Sequence, residues 1–402
     1  MTAQNPSDAE NRARLHARQC IDNRQWEAAQ VALEALARHV PDDVSVLLEL
    51  ADVLFQRGQL RASTALLLRV ARRLPRDAPF IVSVAQRLVA VGETLAARSC
   101  LDLLSQAPAL PPELLVGQAH LRFMLGEIAP ARALMERAMA AGIDTPGEQH
   151  LYAMLLQFDG DLDKACAVLE GCLRRWPHFG DAAMVLVNLR KQKPEANQLA
   201  FVQEQLQRLP PHDQKPDAMF VRAEFEYAQF KILDDLKHHE EAWPALARCN
   251  ALMHELNPYD ATGEAAVTDA LIDMPQPDDR TATARSRSGS DGPVPIFIVG
   301  MPRSGTTLLD RMLSAHSAVV SAGELIDFWR QLHWQADVTP ARTDGLLEVI
   351  RHSAELDYAE LGARYLQQTR WRAQGRAYYI DKLPANIQMV AFIRRALPHA
   401  PI

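Results

Sequence analysis

Apolar residues in the first half of the chain recur with the spacing of an amphipathic helix. Leu66, Leu67 and Val70, for example, fall on one face of a helix. Glycines separate these helical stretches at a constant interval of 34 residues: Gly58, Gly92, Gly126 and Gly160. Glycine suits the tight turn between two helices because positive φ costs it little. The pattern predicts a series of helix–turn–helix units of equal length.

Other positions repeat with the same period. One period before the first glycine stands Arg24, in the stretch "NRQWEAAQ". A small residue follows each of these turn positions at the same distance: Ala29, Ser63, Ala97, Ala131 and Ala165. Small side chains there let paired helices approach closely. The spacing resembles that of the tetratricopeptide repeat (TPR). The resemblance implies an all-α solenoid over residues 1–190. Its groove could bind a peptide or a protein, or the repeats could be a rigid arm that fixes the orientation of the next domain.

The frame weakens after residue 190, where Pro194 replaces the turn glycine. Two helical stretches, at about 218–233 and 240–255, predict one more hairpin. We interpret residues 191–274 as degenerate, capping helices of the solenoid. Residues 275–294 are polar and contain several prolines and glycines, which predicts a flexible linker. A second domain is therefore expected over residues 295–402.

That domain opens with "PIFIVGMPRSGTTLLDRML", in which an apolar run, a glycine-containing loop and a helical pattern follow one another. The run at 295–299 predicts a buried strand. Residues Gly300–Thr307, here called the glycine loop, have the G-x-x-x-x-G spacing of a phosphate-binding loop. A strand, such a loop and a helix N-terminus together surround an anion with backbone N–H groups.

The lysine that nucleoside triphosphatases carry after the second glycine is absent from this loop. Thr306 and Thr307 occupy the places of the usual Lys-Ser/Thr pair, and the loop's cation is Arg303. This placement suits a nucleotide with one phosphate deep in the loop and a second charged group that points outward. A phosphosulfate has this form. The alternative is a kinase with a displaced cation, which would require ATP and Mg²⁺.

"PRSGTT" resembles the 5′-phosphosulfate loop of sulfotransferases that use 3′-phosphoadenosine 5′-phosphosulfate (PAPS). The arginine form is that of protein-tyrosine sulfotransferases and of bacterial proteins that join TPR repeats to a sulfotransferase domain. The resemblance implies an α + α/β chain, a TPR solenoid followed by a P-loop α/β domain with a parallel sheet. It also implies that six residues bind the co-substrate PAPS: Pro302, Arg303, Ser304, Gly305, Thr306 and Thr307.

Two later stretches resemble the same family. "SAGELIDF" implies that Glu324 is the catalytic base, and "YYIDKLPANIQMVAFIRRALPHAPI" implies that Lys382 contacts the transferred sulfuryl group. Arg303 would donate hydrogen bonds to the bridging oxygen and the sulfonate, so that no metal is required. Purely structural roles stay open for two of these residues, because Glu324 could cap the following helix and Arg303 could form a surface ion pair.

One family element has no counterpart in the printed sequence. The 3′-phosphate site of the family, an Arg-Asp-Pro element with a serine beyond it, would follow the strand that "HAPI" begins. We expect this element in a longer protein. The alternative is a TPR adaptor without catalysis, which would bind a peptide and would be insensitive to Arg303→Ala.

Charge and composition limit the classes of protein and of partner that fit the sequence. The net charge of -7 argues against non-specific nucleic-acid binding. The start of the sequence lacks a signal-peptide pattern, and no apolar stretch is long enough to span a bilayer, so we expect a cytoplasmic protein. The five cysteines lack metal-ligand spacing and are expected to be small buried residues. The expected partner is a peptide or protein that carries the acceptor hydroxyl, such as that of a tyrosine.

Overall fold

The computed structural model describes residues 6–105, 110–210, 215–274, 292–340 and 345–402. The linker predicted at 275–294 falls, up to residue 291, outside the described residues. Within the described ranges, the α-helices that precede the first strand have these bounds: α1 Pro6–Asp22, α2 Trp26–His39, α3 Val44–Gln56, α4 Leu60–Ala71, α5 Ala78–Ala90, α6 Thr94–Leu104, α7 Pro112–Met124, α8 Ile128–Ala140, α9 Pro146–Phe158, α10 Leu162–Arg175, α11 Gly180–Leu189, α12 Leu199–Arg208, α13 Pro216–Asp235, α14 His239–Leu256 and α15 Ala261–Ile272.

The helices pair into hairpins with the predicted period. The turn glycines have positive φ angles, +79° at Gly58 and +82° at Gly92, for example. Arg24 adopts the same conformation, with φ +55°, which confirms the extended frame. The small residue of each repeat is buried, and Ser63 also donates a hydrogen bond to the Ala51 carbonyl oxygen (2.7 Å). The predicted late hairpin corresponds to α13 and α14.

The described elements form two compact units. The first unit contains α1–α6, α15 and all the elements that follow α15, whereas the second contains α7–α14. The repeats of each unit have an apolar core. In the first unit it includes Leu33, Val46 and Val53. In the second it includes Leu169, Leu186 and Phe225. The five cysteines are free and buried, as predicted.

The C-terminal elements of the first unit combine short strands with helices. Their bounds are β1 Val294–Phe297, α16 Thr306–Ser314, β2 Val319–Ser321, α17 Asp327–Ala336, α18 Gly345–Arg351, α19 Tyr358–Thr369, β3 Tyr378–Asp381 and α20 Val390–Ala396, with 3₁₀ helices at Arg370–Ala373 and Pro384–Met389. The strands form a parallel sheet in the order β1-β3-β2. Repeats followed by a parallel α/β region confirm the predicted fold class.

The sheet is covered on one face by an aromatic core. The rings of Phe297, Phe328 and Tyr365 lie 5.5–6.2 Å apart between centroids, and Phe392 is fully buried in the same cluster. Leu271 of α15 packs against this cluster, so α15 contributes to the C-terminal core. In the described part of the chain, no helix has the length and apolarity needed to cross a bilayer.

Candidate functional site

Three chain segments leave the sheet at the carboxyl ends of adjacent strands. β1 leads into the glycine loop, β2 leads to Gly323 and Glu324, and β3 leads directly to Lys382. Since the three strands are parallel, these segments meet at one edge of the sheet. Open parallel sheets bind ligands at this edge. The topology therefore places the predicted site residues on the side of the sheet where a site is expected.

The glycine loop has a backbone shape that depends on left-handed residues. Gly300, Arg303 and Gly305 have φ angles of +143°, +66° and +95°. Arg303 is not a glycine, and this conformation is uncommon for a residue with a Cβ. Arg303 therefore adopts a strained backbone in the centre of the predicted anion-binding loop, a pattern that is common at functional sites.

Gly305 is the residue before α16, and its position exposes the start of that helix. The N–H of Leu309 donates to the Gly305 carbonyl oxygen (3.1 Å) and is the first to reach back along the helix. The N–H groups of Thr306, Thr307 and Leu308 precede it and have no acceptor within the helix. A Cβ built at Gly305 would meet no atom within 4 Å, so no other group crowds this residue at the start of the helix. The helix start can accept an anion.

Two hydrogen bonds fix the loop without using these donors. The Ser304 hydroxyl donates to the Met301 carbonyl oxygen (2.6 Å), and the Gly300 N–H donates to the Pro384 carbonyl oxygen (3.2 Å). The second bond joins the glycine loop to the segment that follows Lys382. Pro302 and Arg303 are exposed to solvent.

Glu324 and Lys382 are brought into direct contact. Lys382 Nζ donates to Glu324 Oε1 at 2.5 Å. The side chain of Lys382 is 11% exposed, whereas that of Glu324 is 56% exposed. The backbone supports the contact, because the Lys382 N–H donates to the Gly323 carbonyl oxygen (2.9 Å). The solvent-accessible carboxylate of Glu324 and the mostly buried ammonium group of Lys382 therefore lie next to each other at the carboxyl ends of the strands.

The Glu324 side chain does not cap the following helix, which was the alternative role that its position in the sequence left open. That helix begins at Asp327, three residues later, and its N-cap residue, Ile326, makes no side-chain cap. His316, which follows α16, is the histidine that the sequence offers as an alternative base. It accepts a hydrogen bond at Nδ1 from the Ala318 N–H (3.1 Å), a contact within the local turn.

The side chain of Asp381 points away from that of its neighbour Lys382, into a buried polar network that sequence reasoning missed. Asp381 is fully buried, and its Oδ2 accepts a hydrogen bond from the Tyr365 hydroxyl (2.8 Å). Burial raises the pKa of Asp381 to about 8, although the Tyr365 hydrogen bond and one from the Leu325 backbone oppose this shift. Since Leu325 follows Glu324, the carboxylate holds the ends of β2 and β3 together.

A second missed residue connects the glycine-loop helix to the Glu324 turn. Asp310 of α16 is buried, and its Oδ2 accepts a hydrogen bond from the Ser321 hydroxyl (3.0 Å). The Ser321 oxygen in turn accepts from the Gly323 N–H (3.3 Å). In the sequence, Asp310 is recognisable as an aspartate among the apolar residues of a predicted helix. Its partner, Ser321, could not be inferred because it lies in a different element, β2.

The site therefore combines an open helix N-terminus with groups suited to transfer of an anionic group. Arg303 and Lys382 supply positive charge, Thr306 and Thr307 supply hydroxyl donors, and Glu324 supplies a carboxylate. Charge-assisted donors of this type stabilise developing negative charge. A carboxylate with solvent access can accept a proton.

Comparison with known proteins agrees with this site. Residues 295–402 match the model of the family described as "Sulfotransferase family". The match covers the strands, the glycine loop, Glu324 and Lys382. The C-terminal part of the chain is thus similar to the sulfotransferase family over residues 295–402, and helical repeats precede it.

Other similarities are weaker. An "Uncharacterized protein" of Aquifex aeolicus is 27% identical over 188 residues, which cover 45% of this chain and 24% of that protein. The chain thus matches about a quarter of the length of that relative. A tetratricopeptide repeat protein from Parabacteroides merdae gives a TM-score of 0.42 at 14% identity, over 60% of this chain and 99% of its own. The MamA RS-1 ArsTM double mutant gives 0.33 at 15% identity, over 46% and 99%.

Proposed function

We propose that the protein is a PAPS-dependent sulfotransferase that transfers a sulfuryl group to an acceptor hydroxyl. The observation that carries this proposal is the 2.5 Å contact between Lys382 and Glu324 at the strand edge that also carries the glycine loop. A cation for the transferred group and a base for the acceptor are thereby next to each other. The family match over residues 295–402 supports the reaction class.

The glycine loop would hold the 5′-phosphate of PAPS. The open N–H groups at the start of α16 and the hydroxyls of Thr306 and Thr307 suit a phosphate oxygen, and the helix dipole favours its charge. Gly305 leaves room for the phosphate to approach the backbone. Pro302 and Ser304 shape the loop, and the Ser304 hydroxyl is already bonded within it.

In the transfer, an O–S bond forms at the acceptor and the S–O bond to the 5′-phosphate breaks. Glu324 accepts the hydroxyl proton, so that the acceptor oxygen attacks without building positive charge. Arg303 and Lys382 donate hydrogen bonds to the sulfonate and the bridging oxygen as negative charge grows there. The leaving bisphosphate keeps the electron pair of the broken bond. The two cations supply the charge, so the mechanism uses no metal.

A tyrosine of a peptide or protein is the acceptor that the rest of the chain favours. The N-terminal repeats of the first unit enclose a groove of about 600 Å³ lined in part by Ile21, Trp26 and Phe55. Its apolar side chains and the ion pair of Arg87 with Asp52 (2.6 Å) offer a peptide both apolar and charged contacts. We also propose that the protein works in the cytoplasm, the location expected from the sequence.

The test is transfer of labelled sulfuryl from ³⁵S-PAPS to tyrosine-containing peptides, measured as label that survives alkali and is released by acid, and by the mass of the product. Wild-type protein is expected to label a peptide, and labelling should stop when each tyrosine is replaced by phenylalanine. ATP with Mg²⁺ should give no phosphorylated product. Phosphorylation instead of sulfation would establish the kinase alternative, and tight peptide binding with neither reaction would establish the adaptor.

A further inference from the structure

Two repeat hairpins contact the sulfotransferase domain within the first unit, and they do so through their turns. A Cβ built at Gly92 would lie 2.9 Å from both Arg330 Cβ and Gln331 Nε2 of α17. At Gly58 it would lie 3.7 Å from the Thr339 methyl group. Glycine is thus required at position 92 for two reasons: the positive φ of the turn and the close approach of α17.

The repeat glycine at Gly160 shows that the close approach is not a general property of the turns. Its φ of +86° matches the +82° of Gly92. A Cβ at Gly160, however, would meet no atom within 4 Å. The two glycines therefore share their backbone requirement and differ in what faces them.

Behind Gly92, buried polar groups are paired across the contact. Glu93 is 5% exposed and accepts from Arg364 Nη2 (2.5 Å) and from Gln368 Nε2 (2.8 Å). Gln331 is fully buried, donates to the Gly92 carbonyl oxygen (2.9 Å) and accepts from Arg364 Nε (2.9 Å). A closed network of this kind fixes geometry, because breaking one bond leaves a buried polar group without its partner.

The contact also caps two repeat helices. The Arg61 N–H at the start of α4 donates to Asp337 Oδ1 (2.9 Å), and the Leu95 N–H at the start of α6 donates to Gln368 Oε1 (3.1 Å). The residues that precede these helices make no side-chain cap of their own. Caps at the second residue of a helix are normally supplied by the adjoining chain. Here they come from the sulfotransferase domain.

The capping is reciprocal at the end of α17. Arg61 Nε donates to the Trp334 carbonyl oxygen (3.2 Å), and its Nη2 donates to the Gln335 carbonyl oxygen. These carbonyls belong to the last turn of α17, where carbonyl groups have no N–H partner within the helix. The guanidinium also lies 5.4 Å from the centre of the Trp334 ring. The repeats therefore hold α17 at its last turn as well as at Arg330 and Gln331.

We propose that the repeat hairpins at Gly58 and Gly92 position the candidate base of the transferase. The turn that carries Glu324 runs directly into α17, which begins at Asp327. Because both the middle and the end of α17 are fixed by repeat residues, the repeats set where Glu324 stands relative to Lys382. Gly92 and Glu93 are positioning residues in this scheme. The role assigned to Glu324 rests on the proposed function, whereas the fixing of α17 does not.

The first experiment compares Gly92→Ala with Gly160→Ala by hydrogen exchange of the full chain. Both variants carry alanine at a positive φ, and only Gly92→Ala forces apart the contact with α17. We expect exchange of the α17 amides to rise about tenfold or more in Gly92→Ala and to stay within about twofold in Gly160→Ala. Equal exchange of α17 in both variants would overturn the proposal.

The second readout separates positioning from plain stabilisation. With ³⁵S-PAPS and an accepted peptide, Gly92→Ala should lower kcat about tenfold while the KM for PAPS changes less than about twofold. Gly160→Ala should leave kcat near wild type. Faster α17 exchange with unchanged kcat would overturn the positioning role. Absence of transfer by wild-type protein would instead refute the proposed function, and the exchange comparison would still decide whether the repeats fix α17.

Glu93→Gln provides a milder test should Gly92→Ala fold poorly. It keeps the shape of the side chain and removes the charge that faces Arg364. We expect the same two changes at a smaller size, about threefold each, since one of the hydrogen bonds can persist. No change in either readout would contradict the proposal as firmly as the glycine comparison.

Discussion

The two sides of the β3 carboxyl end differ in exposure and in hydrogen bonding. On one side, the Glu324 carboxylate is 56% exposed, and Arg303 and Gly305 lie open to solvent. On the other side, Asp381 and Tyr365 are fully buried and bonded to each other at 2.8 Å. The groups proposed to contact a ligand are thus separated from the groups that hold the strands together. Substitutions on the two sides should therefore affect different quantities.

The largest effect is expected on the exposed side. Glu324→Gln keeps the shape of the side chain and removes the base, so sulfuryl transfer should fall about 1,000-fold. The free energy of unfolding should change by less than about 1 kcal/mol, because Glu324 is more than half exposed and the glutamine oxygen can still accept a hydrogen bond from Lys382. Transfer kinetics and urea denaturation measure the two quantities.

Glu360→Gln is the matched control for that prediction. Glu360 is an exposed glutamate in the first turn of α19, away from the strand ends. Its replacement should leave transfer unchanged. A similar loss of transfer in both variants, or none in either, would mean that Glu324 is not the base.

On the buried side, the expected effect is on stability. Tyr365→Phe removes the hydroxyl that donates to Asp381 and should lower the free energy of unfolding by about 1–3 kcal/mol. Tyr358→Phe, in the same helix, removes a hydroxyl that donates to the Ser353 carbonyl oxygen (2.7 Å) in a half-buried place. It should cost less than about 1 kcal/mol. Equal losses of unfolding free energy in urea denaturation would show that the buried Tyr365–Asp381 hydrogen bond contributes no more than a half-buried one.

A further effect expected on the buried side is a pH dependence. The pKa of Asp381 is raised to about 8 by burial, so between its unfolded pKa and about pH 8 the folded state binds more protons than the unfolded state. This group therefore makes the free energy of unfolding decrease as pH rises through that window. Asp381→Asn should flatten the decrease. A wild-type and a variant curve with the same slope between pH 5 and pH 8 would show that Asp381 does not titrate there.

The sequence predicted the exposed side better than the buried one. Repeated turn residues indicated the hairpins, and the glycine loop, Glu324 and Lys382 followed from local motifs. Such motifs are visible because ligand-facing groups sit on short segments with a fixed spacing. Their roles in the reaction remain predictions.

The buried side depends on partners that are distant in sequence. Tyr365 and Asp381 meet only when α19 folds over β3, and Asp310 meets Ser321 only when α16 packs on β2. The same is true of Glu93 and Arg364, which are separated by much of the chain. The period of the repeats predicted the glycine at Gly92, but no spacing could show which helix faces it.

The claim that the glycine loop holds the nucleotide's 5′-phosphate is tested most directly by calorimetric titration with adenosine 3′,5′-bisphosphate. Wild-type protein should bind it without Mg²⁺, and Arg303→Ala should still bind it with an affinity within about tenfold, since the backbone N–H groups of the loop remain. A Gly305→Val variant, which places a branched side chain at a φ of +95° and so distorts the loop, should abolish binding. Binding of ADP that requires Mg²⁺, with none of the bisphosphate, would contradict the account.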